Sequence, residues 1–500
     1  MLHQVSRSDL FIKMNPDGRM NIETCLKESR AEALVDVLGF ETVTGKDEFK
    51  KQLRFFTENP QRIKKRQEAI LKLRHSGTTL DPLFKEVSEL ELQLTTFFKR
   101  SDVETNSYQQ ILFSGWKDTE VFNLVPFLLL ITSFFKQYVV PLTALLMPLI
   151  ILVAPYIAIR YWYNLPITTE QYIHVLLTTM GLPTNEGWTL KHVTQVLFGL
   201  LSLGQSIIQP IQNAVHISHI DKDMIKFGSA VERFSDLFSK ICPELENPLV
   251  VASGDVRKSF ALSWDTPFRL KIALKQVGDM EVVYRLARSS AEPVKFVNSQ
   301  TPFLLIRGGF DPFLENPVPF DFRSSSSHTL LTGPNKGGKS SVLRSLLLSV
   351  TLAQTFGFAY AKKMVLKPFD WIATGLRLED RPGSASMFES EVLFATQILQ
   401  RATKKQVGLV LFDELFHSTN PPDGERTAEI FLRKLWLKPN VISFISTHVF
   451  SLVDTAPQQI KKLCVPAFKE NNTLRFTYTL RPGICKESSV DLILQEKGLL

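Results

Sequence analysis

The chain has 500 residues, 44% of them hydrophobic, with 37 Phe and a net charge of +8. That composition excludes a disordered polymer, and the length leaves room for two to four domains with real cores. The charge permits contact with nucleic acid or anionic lipid without requiring either. Four scattered cysteines without a C-x-x-C pair give no zinc site and no disulfide framework.

Residues 1–25 read as an N-terminal arm, polar and mixed in charge over its first twenty positions, without the apolar run of a cleaved signal. Residues 26–120 read as the first part of a helical region, with helices over 31–38, 46–57, 60–74 and 83–100. Asn59-Pro60 and Asp81-Pro82 mark two of the starts.

The composition then changes over 121–215. Residues 121–135 are uncharged. So are 138–159, which are long enough to cross a bilayer, since about 20 apolar residues suffice. Tyr156, Arg160, Tyr161, Trp162 and Tyr163 close that run as an interfacial anchor would. Pro141, Pro148 and Pro155 recur at steps of seven, which a membrane helix tolerates better than a water-exposed one. Residues 193–215 are also uncharged but two-faced, with Val193, Leu197, Leu200 and Ile208 on one side and Gln195, Ser202, Gln209 and Asn213 on the other. The favoured arrangement sends 138–159 across and brings 193–215 back. One alternative pairs 121–135 with 138–159 as a hairpin and lays the third stretch flat. Another is a buried helix pair of a soluble protein. Residues 216–300 resume a charged helical pattern, with helices over 221–242 and 266–287.

Residues 301–500 carry the chemistry. Gly333, Gly338, Lys339 and Ser340 fit G-x-x-x-x-G-K-[ST], between a buried strand over 328–332 and an apolar-periodic helix over 341–356. The glycines let backbone N–H groups curl around phosphates at a helix N-terminus. Lys339 can reach the β- and γ-phosphates of ATP, and Ser340 can hold Mg²⁺. Leu409–Phe412 is an apolar run ending in Asp413 and Glu414, suited to a Mg²⁺ ligand and a general base respectively. A further strand over 442–446 runs into Thr447-His448. The expected fold is therefore an α/β P-loop ATPase domain at the C-terminus, preceded by an all-α region interrupted by a transmembrane block.

The loop Gly333-Pro334-Asn335-Lys336-Gly337-Gly338-Lys339-Ser340-Ser341 resembles the nucleotide-binding loop of the MutS mismatch-repair ATPases, a branch of the ABC-type ATPases. Lys336 stands where that family usually has Met. The resemblance continues on both sides. Arg307–Pro312 and Pro317–Asp321 are similar to the family's adenine-side loop, where Phe310 or Phe320 stacks on adenine or belongs to the core. Thr419, Asp423 and Gly424 match a loop that meets a partner subunit, whereas His417 and Ser418 depart from it. His448 matches a γ-phosphate sensor. Residues 383–391 resemble the signature region, placing Ser386, Phe388 and Glu391 on its Ser, Phe and Glu. The resemblance implies that this helix N-terminus serves the nucleotide of a second copy, hence a homodimer with two composite sites. Residues 480–483 and 488–489 resemble the family's closing motif without its Tyr-Gly, and 56–73 resemble the opening of its helical core.

In that family a pair of lever helices leaves the core and carries a DNA clamp. Here the apolar block stands in that place, and no mismatch-reading domain fits before Leu26. The resemblance implies a Mg²⁺-dependent ATPase. The apolar block adds the expectation of a membrane anchor, with the ATPase domain on the cytoplasmic side and an even number of crossings, because ATP is cytosolic and charged helical sequence flanks the block on both sides. One alternative is a DNA-binding ATPase of repair or recombination, not mismatch-specific, using the basic helix over 62–74 with Lys64, Lys65 and Arg66. The other is a regulatory ATPase acting on a protein partner.

Overall fold

The computed structural model describes residues 22–96, 98, 107–113, 119–183, 189–252, 254–325, 328–376, 387–403, 405–470 and 473–487. Its helices are α1 (Ile22–Ser29), α2 (Leu34–Leu38), α3 (Val43–Leu53), α4 (Pro60–Ser76), α5 (Asp81–Thr96), α6 (Pro126–Trp162), α7 (Thr169–Thr179), α8 (Leu190–Ile241), α9 (Val256–Asp265), α10 (Pro267–Arg288), α11 (Lys339–Phe356), α12 (Met387–Arg401), α13 (Pro421–Leu435) and α14 (Phe450–Thr455). Its strands are β1 (Glu292–Pro293), β2 (Lys295–Phe296), β3 (Phe303–Gly309), β4 (Phe320–Ser325), β5 (His328–Thr332), β6 (Phe358–Ala359), β7 (Ala361–Leu366), β8 (Trp371–Gly375), β9 (Gly408–Phe412), β10 (Val441–Ser446), β11 (Lys461–Cys464), β12 (Ala467–Glu470), β13 (Thr473–Phe476) and β14 (Arg481–Pro482).

The chain divides into two units. One takes the sequence up to Asp81 and again from Gly278 onward, and the other takes Pro82–Val277. In the first unit, β5, β8, β9 and β10 have every residue buried. Continuous apolar runs of this kind are what a parallel sheet covered on both faces demands. The sheet order is β14-β11-β5-β10-β9-β8, with only the β14 edge antiparallel. A second sheet, β2-β7-β3-β4, packs its Leu304, Ile306 and Phe322 with Leu343 and Leu346 of α11.

The same unit absorbs the N-terminal helices, so the boundary expected between a helical region and residues 301–500 falls elsewhere. Phe49, Leu53 and Ile70 share a core with Leu352 and Phe356 of α11 and with Phe358 and Tyr360. The rings of Phe49 and Phe356 stack at 5.7 Å. Each such side chain contributes roughly 1.5–3 kcal/mol on burial, which binds α1–α4 to α11. Asn59 caps α4 by accepting from the Gln61 N–H at 3.0 Å, with Pro60 in the first turn. Arg66 and Arg74 of α4 donate inward, to the Thr355 carbonyl (2.8 Å) and the Ala291 carbonyl (2.7 Å). Part of the basic run expected to face a partner is therefore occupied within the unit.

The second unit is helical. α6 is one helix of 37 residues, about 55 Å long at 1.5 Å per residue. It widens to π-turns at Phe135–Val139 and Ala158–Trp162, and runs through Pro148 and Pro155. A hairpin between 121–135 and 138–159 is thereby ruled out, because Lys136 and Gln137 continue the helix instead of turning it. α6 alone, among the described residues, is long and apolar enough to cross a membrane, and its most apolar window is unburied. The expected returning stretch, 193–215, is the first half of α8, a single helix of 52 residues that also contains the expected helix over 221–242. α8 packs against both α6 and α9. Phe227, Val231 and Phe234 of α8 are buried, as is Phe260 of α9. The two helices cross so closely at Gly228 that a Cβ there would lie 2.0 Å from the Val256 carbonyl oxygen. Tyr172 of α7 donates to the Leu152 carbonyl of α6 (2.7 Å), and Gln195 of α8 donates to the Met180 carbonyl just after α7 (2.7 Å).

Candidate functional site

Strand order brings the motif residues together. β5, β10 and β9 are neighbours in parallel register, with Ile445 opposite Phe412 and Ser446 opposite Leu331. The loop after β5, the Thr447-His448 pair after β10 and the acids after β9 therefore emerge side by side at the carboxyl ends of the strands, where open α/β sheets hold ligands.

The loop Gly333–Ser341 passes over the N-terminus of α11. Gly333 has φ 148° and Gly338 φ 98°. A Cβ on Gly333 would meet the Val465 carbonyl oxygen at 2.7 Å, and one on Gly338 would lie 3.2 Å from the Tyr478 ring. Neither conformation suits a residue with a side chain. Lys339, 5% exposed, curls back to donate to the Gly333 and Pro334 carbonyls at 2.9 and 3.1 Å. Burial lowers its pKa, while the Glu414 and Asp413 carboxylates push it back up. Pro334, Asn335, Lys336, Gly337, Gly338, Lys339, Ser340 and Ser341 all line one cleft of about 510 Å³, with Glu414 on its rim.

Ser446, fully buried at the end of β10, donates its hydroxyl to Asp413 Oδ1 and accepts from the Glu414 N–H at 3.1 Å. One hydroxyl thus fixes both acids. His448 Nε2 lies 3.2 Å from Glu414 Oε1. That hydrogen bond, against the opposing effect of burial, holds the Glu414 carboxyl below its ordinary pKa. Ser340 and Asp413 are hard oxygen donors that fit Mg²⁺ in chemical type, and Ser446 orients the carboxylate. The lysine, the loop amides and the acids together suit an anionic ligand carrying such an ion.

The remaining expected residues divide. Phe388, at the start of α12, packs edge-on to Phe416 at 6.3 Å. Glu391 is 0% exposed, its carboxyl pKa raised by burial, and it accepts from Ser418 Oγ at 2.5 Å. Expected on a surface offered to a second copy, Glu391 instead braces α12 to the loop after β9. Ser386 lies outside the described residues, as do residues 488 and 489. Phe320 lines the cleft, whereas Phe310 packs edge-on against Tyr360 at 5.7 Å, in the core beneath α1–α4.

Two residues of the site, Ser446 behind the acids and Tyr478 in the cleft, carry no motif signal. Ser446 was signalled only as a serine ending the strand beside the two acids. Tyr478 sits in no motif; its φ of 54° puts it over the loop. Of the six non-glycine residues with positive φ among those described, Lys336, Glu414 and Tyr478 all line this cleft. Such strained backbone persists where surrounding structure enforces it, and it clusters at functional sites.

Ser446→Ala is expected to raise the Mg²⁺ concentration needed for half-maximal turnover about 10–100-fold, the usual effect of losing a group that orients a metal ligand. Turnover measured against Mg²⁺ checks this; an unchanged Mg²⁺ dependence would contradict the role.

Residues 329–493 match the family model for MutS domain V. Similar proteins include the "DNA mismatch repair protein MutS" of Geobacillus sp. (strain WCH70), 30% identical over 44% of this chain and 27% of its own length. Those of Lactobacillus acidophilus and Thermus thermophilus are 34% and 33% identical, over 37% and 39% of this chain and 22% and 24% of their own lengths. The chain thus spans about a quarter of the length of the curated relatives it matches. Its C-terminal part is MutS-related.

Proposed function

We propose that the unit containing β5–β11 binds and hydrolyses ATP. The observation that carries this is that Lys339 and Glu414 line one cleft, with Asp413 and His448 beside Glu414 at the ends of adjacent parallel strands. The amides of 333–341 and the Lys339 ammonium would hold the phosphates, exchanging the Gly333 and Pro334 carbonyls for phosphate oxygens. Ser340 and Asp413 would hold Mg²⁺, which supplies charge neutralisation to the transferring phosphoryl group. Glu414, kept ionised by its His448 contact, accepts a proton from the attacking water, and His448 orients that carboxylate. Phosphate release from ATP by the purified full chain tests the reading. The account expects turnover in the native chain and its loss in Lys339→Ala; equal turnover in both would sink it.

We further propose that α6 crosses a membrane, with 193–215 of α8, less apolar than α6 and packed against it, as the returning span and the ATPase unit on the cytoplasmic side. Its support is the 37-residue apolar helix, unburied in its most apolar window, and the exposed apolar face of α8 alongside it. Closure of two ATPase units in a homodimer would then move helices continuous with the membrane block. After alkaline carbonate washing the protein is expected in the membrane pellet. Recovery in the supernatant would remove the spans.

A second reading, DNA as the partner, takes its support from the names of the relatives, which are DNA mismatch repair proteins. The inward hydrogen bonds of Arg66 and Arg74 reduce the basic face that α4 could offer a phosphate backbone. A protein partner is the third class of target for the same motion.

A further inference from the structure

Between Lys191 and Asp221, α8 carries no Lys, Arg, Asp or Glu. Its side chains sort onto three faces. Val196, Ile207, Pro210 and Ala214 form a partly covered face. Leu197, Leu200, Leu201, Ile208 and Ile211 form an exposed apolar face. Gly199, Ser202, Ser206, Gln209, Asn213 and His216 form a third line, and all six are exposed. Their spacing alternates between three and four residues throughout. Among the described residues, no hydrogen-bond partner meets the carboxamides of Gln209 and Asn213.

An alternating three-four spacing is the seam of a left-handed helix pair. Here the seam is polar and small where such seams in water are apolar. It runs about 26 Å along the helix, close to the roughly 30 Å of bilayer hydrocarbon. Carboxamides without partners are costly in hydrocarbon, and they associate with other polar side chains there; the Ser206 hydroxyl already donates to the Leu203 carbonyl at 2.8 Å. A carboxamide both donates and accepts, so the same residue on two copies can pair with itself across a two-fold axis. No charge on the seam repels its own image, and Gly199 and Ser202 let two backbones approach closely.

We propose that this seam of α8 docks against the same seam of a second copy of the chain within the membrane. The inference rests on the reading of 193–215 as a span. It adds a second contact between copies, distinct from any at the ATPase units, and places the two-fold axis beside α8.

Cysteine cross-linking of the full chain in native membranes tests it. The four native cysteines are all buried, and the unsubstituted chain supplies the blank. Ser202→Cys, Ser206→Cys and Gln209→Cys lie on the seam; Leu201→Cys and Ile208→Cys lie on the apolar face. Mild oxidation is expected to give a disulfide-linked dimer at the seam positions and loss of that band at 201 and 208. Three results overturn the proposal while the protein stays in the carbonate pellet: no dimer at any position, equal dimer at all five, or ready labelling of the seam thiols by a membrane-impermeant maleimide, which marks a water-lined path. Release by carbonate instead removes the membrane reading itself and the proposal with it.

Discussion

Glu414→Gln is expected to slow ATP hydrolysis by about 10²–10⁴-fold, the usual contribution of a positioned general base, while leaving nucleotide bound. The carboxamide keeps the size of the side chain and an oxygen for the His448 contact, so the cleft survives. What disappears is the proton acceptor. The pH dependence adds a second readout. The His448 hydrogen bond lowers the Glu414 pKa, so the base stays ionised, and turnover persists, to lower pH than an ordinary carboxylate allows. His448→Ala removes the largest cause of that shift. The acid limb of the turnover profile should then move to higher pH. Single-turnover hydrolysis across pH measures both effects. Full turnover in Glu414→Gln, or an acid limb that does not move in His448→Ala, would contradict the assignment.

The second large effect is on stability. Glu281, 0% exposed on α10, accepts from the Glu41 N–H at 2.7 Å, the Thr42 N–H at 3.2 Å and the Thr42 hydroxyl at 2.5 Å. It also faces Arg285 at 3.3 Å, which in turn bonds Asp81 at 2.7 Å. Truncation to alanine orphans two backbone donors and leaves a nearly buried guanidinium with one carboxylate fewer. Removing one member of such a buried pair costs about 3–5 kcal/mol. Glu281→Gln, which still accepts from the amides, should cost less. Thermal or denaturant unfolding of the purified chain reads the difference. A loss from Glu281→Ala no greater than that of an ordinary surface substitution would mean that this joint does not hold the N-terminal segment to α10.

The strands around the cleft are legible because they are short and mostly apolar, and two of them run into glycine or acid. Thr329-Leu330-Leu331 before Gly333 and Leu409–Phe412 before Asp413 can hardly be anything else. The contacts that complete the site are not legible. Nothing in the spacing says that Ser446 will reach two strands' worth of chemistry, or that Tyr478 will fold over Gly338, because both depend on which strands become neighbours. The domain boundary is misread for a related reason. Residues 22–76 look like part of a separate helical region, yet Phe49 and Ile70 find their apolar partners some 300 positions away in α11 and β6. The length of α8 is hidden because its apolar face changes from exposed at 193–215 to core packing at 217–241, with a proline near the join. Pro210 does not interrupt it.

The claim at the centre is that the Gly333–Ser341 loop grips the phosphates of a nucleotide through Lys339. Equilibrium binding of a non-hydrolysable ATP analogue with Mg²⁺ to the purified full chain addresses it most directly, with Lys339→Ala beside it. Saturable binding by the native chain and a large loss in the variant are the predicted result. No binding by the native chain, or undiminished binding by the variant, would contradict the account.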